Sequence, residues 1–260
     1  MINQTIAAIG SGCLIGFVLG LIGGGGSILA TPLLLYVVGI NQPHVAIGTG
    51  ALAVSANAYA NFLSHARKGN VWWRCAIVFA VIGTIGALAG SSMGKAISGQ
   101  LLMFMFGFVM IIVGALMLRP RADFGGEACD IDAKMCFKTA AVALLSGLAS
   151  GFFGIGGGFL IVPGLIFATR MPSISAVGTS LLAVGTFGLA TAINYAFDGM
   201  VDWLIAAQMI GGGIIGGYLG TMASSKLGAN KDTLNRVFAL LIFVVATYVL
   251  FKSGGKIFNL

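Results

Sequence analysis

The chain has 260 residues and a formal net charge of +7, yet charged residues make up only 8% of it, hydrophobic residues reach 58%, and the mean hydropathy is +1.02. A soluble globular domain cannot bury that much apolar surface, so this class is excluded. A nucleic-acid partner is excluded with it, because the cations fall mostly in short loops between apolar runs, where they set membrane orientation.

In chain order, apolar segments are expected over 5–22, 27–39, 44–64, 75–94 and 101–118, then over 139–153, 158–169, 174–197, 203–224 and 234–251. A bilayer core about 30 Å thick needs about 20 such residues per spanning helix. The fold class is therefore an all-α polytopic membrane protein. Weak alternation, with glycine and alanine at helical spacing, argues against a β-barrel. No basic residue precedes the first apolar run, which reads as a membrane helix rather than a cleaved signal peptide.

The chain repeats itself. A shift of 131 lays Gly16, Gly20, Gly23, Gly25, Gly26, Leu29 and Pro32 on Gly147, Gly151, Gly154, Gly156, Gly157, Leu160 and Pro163. After one residue is lost, a shift of 130 lays "AIGTGALAV" (46–54) on "AVGTSLLAV" (176–184). The organisation is a first membrane repeat over 1–118, a central cytoplasmic loop over 119–138 and a second repeat over 139–260. Cation counts favour an inverted arrangement of the repeats. It puts eleven Lys and Arg inside and three (Lys95, Lys252, Lys256) outside, against nine and five for a parallel arrangement.

The glycines divide into two kinds. Gly12, Gly16 and Gly20, like Gly86, Gly90 and Gly94 or Gly212, Gly216 and Gly220, recur every four residues and form small faces for close helix packing in lipid. The consecutive runs 23–26 and 156–158 cover every face of a helix and destabilise it by about 1 kcal/mol per residue relative to alanine. They mark breaks near mid-membrane, each followed by a segment too short to span. A helix start exposes N–H donors and a positive dipole end, which favour an anion. Pro32 and Pro163 are expected in the first turn of the new helix, where a missing N–H costs least.

Two anion cradles facing a shared centre follow, with Gly24, Gly25, Gly26 and Ser27 in the first half and Gly156, Gly157 and Gly158 in the second. Thr49 and Thr179, at matching positions of the "GT" pair, are further candidates, with Asn57, Asn61, Ser180 and Asn194. Such hydroxyls and amides can replace part of an oxyanion's hydration shell. All seven acidic residues (Asp123, Glu127, Asp130, Asp132, Asp198, Asp202, Asp232) lie in loops, which disfavours carboxylate proton relays and cation sites. His44 and His65 read as interfacial. The cysteines Cys13, Cys75, Cys129 and Cys136 form no disulfide or zinc pattern, and neither cofactor nor metal is expected.

The paired glycine runs with a downstream proline, the "GT" element after each and the duplicated length resemble the TauE/SafE family of sulfite or organosulfonate exporters. The resemblance covers nearly the whole chain. It implies transport of sulfur-containing anions such as sulfite, sulfoacetate or related sulfonates across the bacterial inner membrane. Ser27 departs from the repeat, since Gly158 occupies the matching position. The partners so implied are a small anionic substrate and the lipid bilayer; a homo-oligomer is left open. The rival reading is a membrane-embedded sulfur-handling enzyme using Cys13 or Cys75, which lacks a neighbouring base in the sequence. A scaffold explains the helix-breaking runs least well.

Overall fold

The computed structural model describes residues 2–118, 133–154, 157–169, 171–226 and 231–258. Every secondary-structure element among them is helical: α1 (Ile2–Ile22), α2 (Ala30–Leu33), α3 (Pro43–Arg67), α4 (Trp73–Lys95), α5 (Gly99–Met117), α6 (Ala133–Phe153), α7 (Gly158–Thr169), α8 (Ser173–Ala196), α9 (Trp203–Lys226) and α10 (Lys231–Phe258). A 3-10 turn (Gly24–Leu29) precedes α2 and a π-helical turn (Leu34–Val38) follows it. The expected loop over 119–138 is shorter at its far end, because α6 begins at Ala133.

Among the described residues, six stretches are long and apolar enough to cross a membrane: Asn3–Leu21, Trp73–Lys95, Gly99–Met117, Ile174–Ala196, Trp203–Ala223 and Arg236–Gly255. Helix α3 is not among them despite its 25 residues. It carries His44, Thr49, Ser55, Asn57, Asn61, Ser64, His65 and Arg67, which lower its hydropathy. Large apolar side chains such as Ile85, Ile112, Leu240 and Val244 point outward, while Thr31, Thr49, Ser55, Asn57, Thr179 and Thr191 are buried. That is the arrangement a lipid solvent imposes, since polar groups must find partners inside the bundle.

Small-residue faces set the helix pairs. Gly12, Gly16 and Gly20 of α1 lie against Met209, Gly213 and Gly217 of α9 in the same order, so these helices run parallel with no room for a Cβ between them. Gly86, Gly90 and Gly94 of α4 meet Leu144, Leu148 and Phe152 of α6 in the same way. The two pairs correspond through the repeat, the Gly16 and Gly213 contact matching that of Gly147 and Gly83. Helices α3 and α8 run antiparallel, with Gly48 beside Tyr195, Gly188 beside Ser55 and Gly178 beside His65. So do α5 and α10, where Gly107 faces Leu250 and Gly114 faces Phe243.

The first short segment begins where α1 stops. Gly23 takes φ +82°, a conformation that glycine adopts without strain, and its N–H closes α1 on Leu19 C=O at 2.9 Å. In the second half Gly154 and Gly157 take φ +66° and +63°. The Gly157 C=O then accepts the N–H groups of Leu160 (2.9 Å) and Ile161 (3.1 Å) and so starts α7. Pro32, the third residue of α2, lies in that helix's first turn as expected, but Pro163 sits deeper. Pro163 is the sixth residue of the twelve in α7, and a 3-10 turn comes before the short helix that holds Pro32. Pro163 therefore removes an interior helix bond rather than a first-turn orphan.

Candidate substrate site

The two short segments meet each other and the opposite half. The Gly24–Leu29 turn packs against both α7 and α8. Gly23 abuts Val177 of α8, and Gly154 abuts Ile47 of α3; these contacts correspond through the repeat. Each chain break is thus covered by a helix of the other repeat.

Gly25, Gly26 and Ser27 are buried in that turn, with Gly26 level with Ile15 and Leu19 of α1. The N–H of Ala30 donates to Ser27 C=O. Thr31, one turn further on, is fully buried and its Oγ1 has no hydrogen-bond partner. Across the repeat, Gly157 and Gly158 are buried, and a Cβ at Gly157 would lie 2.6 Å from Ser150 Cβ. The Ser150 hydroxyl is likewise buried without a partner. Gly156 lies outside the described residues.

The paired threonines are engaged at helix starts. Thr49 Oγ1 accepts the N–H of Asp202 at 2.9 Å, and Thr179 Oγ1 accepts the N–H of Trp72 at 3.1 Å. Trp72 and Asp202 are repeat counterparts, each just before the first residue of α4 or α9. Because α3 and α8 are antiparallel, Thr49 and Thr179 stand at opposite ends of that pair and do not converge on one point. Ser180 Oγ donates to Val177 C=O at 2.8 Å, a bond within its own helix.

Asn194 belongs to a cluster at the C-terminal ends of α4 and α8. Lys95 Nζ donates to its carbonyl (3.1 Å) and Oδ1 (3.0 Å) and pairs with Asp198, while Asn194 Nδ2 donates to Ser91 (2.6 Å) and Ser92 (3.1 Å). Asn57 is 1% exposed and neither of its amide atoms has a partner, whereas Asn61 Nδ2 donates to Asn57 C=O at 3.0 Å. Both face α9 at Gly213 and Gly217. His65, expected at an interface, is buried against α8, and its Nδ1 is unpaired. Thr191, one of the polar residues within the apolar runs, and Tyr195, which the sequence did not mark, also hold buried hydroxyls without partners. A shallow cleft of about 110 Å³ between Tyr36, Asn41, Gln100 and Lys252 lies at the rim, away from these groups.

The architecture defines a multi-pass helical membrane protein with its polar groups turned inward. The family model described as Sulfite exporter TauE/SafE matches residues 8–249. A "Probable membrane transporter protein" of Xylella fastidiosa (strain 9a5c) is 62% identical over 98% of both chains. "Probable membrane transporter protein YunE" of Bacillus subtilis (strain 168) is 25% identical over 93% of this chain and 96% of its own. No solved structure matches the chain. The chain belongs to the TauE/SafE family and is a membrane transporter.

Proposed function

We propose that the protein moves small sulfur-containing anions, such as sulfite, sulfoacetate or related sulfonates, across the bacterial inner membrane. The anion binds between two inverted repeats, at the glycine-interrupted segments near mid-membrane. The observation that carries this reading is the mutual cover of the breaks, Gly23 on Val177 and Gly154 on Ile47. Residues 24–27 and 157–158 then bring backbone donors to a site shared by both halves, where the unpaired hydroxyls of Thr31 and Ser150 add donors. The antiparallel courses of α3 with α8 and of α5 with α10 support inversion, as does the excess of cations on one side. The family description, which names sulfite export, supports the substrate class.

Sealed vesicles carrying the purified protein test this against the enzyme reading. Sulfite, sulfoacetate, taurine, sulfate and thiosulfate, each isotopically labelled, are followed for both position and chemical identity. Faster movement of sulfite or a sulfonate than in protein-free vesicles, with the molecule unchanged, supports transport. Chemical conversion without movement would establish the sulfur-handling enzyme instead.

A further inference from the structure

Asn57, Asn61 and His65 stand four residues apart along α3, and the repeat shift of 130 lays them on Phe187, Thr191 and Tyr195 of α8. All six side chains are buried. Within the two stripes both amide atoms of Asn57, His65 Nδ1, Thr191 Oγ1 and the Tyr195 hydroxyl meet no hydrogen-bond partner. An unpaired buried polar group costs free energy, and a bundle in lipid has no bulk water to relieve it. Orphaned groups in a native structure call for an explanation, and a migrating polar ligand supplies one.

The stripes have a direction. Helices α3 and α8 cross where Ser55 Oγ donates to Gly185 C=O at 2.7 Å, and these two residues are repeat counterparts. Because the helices are antiparallel, the α3 stripe leads from the crossing toward Arg67 and the α8 stripe toward Ala196, at opposite faces of the bundle.

We propose that the two stripes are half-paths that pass the transported oxyanion between the centre and the two faces, with amide, imidazole and hydroxyl groups replacing its water. This rests on the anion-transport reading above. The half-paths are unequal. Phe187 takes the place of Asn57 beside the crossing and stacks on Phe79 with ring centroids 6.2 Å apart. The outer end of the α8 stripe lies under Lys95, whose Nζ is 5.9 Å from the Tyr195 ring and is pinned by Asn194 and Asp198. The α8 half-path is therefore shut at both ends in this conformation.

Thr191→Val and Tyr195→Phe keep shape while removing the orphaned hydroxyls. If those hydroxyls were mere packing leftovers, removal would leave flux intact and hold or raise thermal stability. As path residues, each variant should move labelled sulfite at least tenfold more slowly in proteoliposomes while melting no lower than wild type. Thr247→Val, on an exposed side chain bonded within its own helix, is the control. In addition, Asn61→Cys and Thr191→Cys should react with a membrane-impermeant thiol reagent from opposite faces, above the wild-type background. Flux equal to wild type in both hydroxyl variants overturns the half-paths alone, as does labelling of the two cysteine variants from one face or from neither. Absence of anion movement by wild type overturns the transport reading and the half-paths with it.

Discussion

Thr49 Oγ1 accepts the backbone N–H of Asp202 at 2.9 Å, joining a hydroxyl of the first repeat to the start of α9 in the second. The Thr179 bond to Trp72 repeats the link in the opposite sense. Each repeat thereby fixes where a helix of the other begins. Thr49→Val and Thr179→Val should each lower stability by about 1–3 kcal/mol, because a part-buried N–H at a helix start loses its partner. Thr→Ser at either site should retain most of it. Thr31→Val, which removes a hydroxyl with no partner, should be neutral or stabilising. Thermal unfolding of the purified variants checks all three.

Asp202 also caps α9 through its side chain, Oδ1 accepting the N–H of Ile205 at 3.0 Å. Asp202→Asn keeps an acceptor there and should be mild, whereas Asp202→Ala should cost about 1 kcal/mol. Neither change should abolish flux, because the carboxylate has a structural partner at a helix start.

Lys95 and Asp198 form an ion pair between the repeats, but the Asp198 side chain is 45% exposed. Exposed pairs contribute about 0–1 kcal/mol. Asp198→Asn should therefore leave stability and flux near wild type. Lys95→Met should be more damaging, since it also strips two hydrogen bonds from Asn194. Comparing the two melting temperatures separates the charge from the amide network.

The proposed inverted arrangement, oriented with its cation-rich side inside, would place both chain termini outside and the 119–138 loop inside. Single cysteines added at either terminus should react with impermeant reagent in intact cells, and a cysteine in the loop should not. Labelling of the termini from the inside only would contradict this orientation.

Much of the fold was legible because lipid rewards a simple pattern. The expected segments 75–94, 158–169 and 174–197 fall within a residue or two of α4, α7 and α8. The four-residue glycine spacing marked the helix faces that pack, as Gly16 and Gly90 illustrate. Which helices those faces meet was not legible, since spacing defines a face but not its partner. The same limit hid the roles of Thr49 and Thr179. Their matched positions marked them as special, yet their partners lie in the other repeat. His65 and Tyr195 were passed over because burial at a segment end depends on the neighbouring helix, although the 130-residue shift aligns the two. Only Pro163 was misjudged: the start of α7 at Gly158 was legible, and it puts Pro163 at the sixth residue, beyond the first turn.

The most direct test of anion binding at the glycine breaks is the affinity of purified protein for sulfite, compared among wild type, Gly25→Val and Gly90→Val. Gly157 is unsuitable for this purpose, since φ +63° strains any side chain there whether or not an anion binds. Gly90 packs against Leu148 and Phe152 of α6, so its substitution should lower stability while leaving affinity per folded molecule unchanged. Gly25→Val should weaken sulfite binding at least tenfold in protein that remains folded. Sulfite affinity equal to wild type in folded Gly25→Val would contradict the account and leave the glycine run as a hinge.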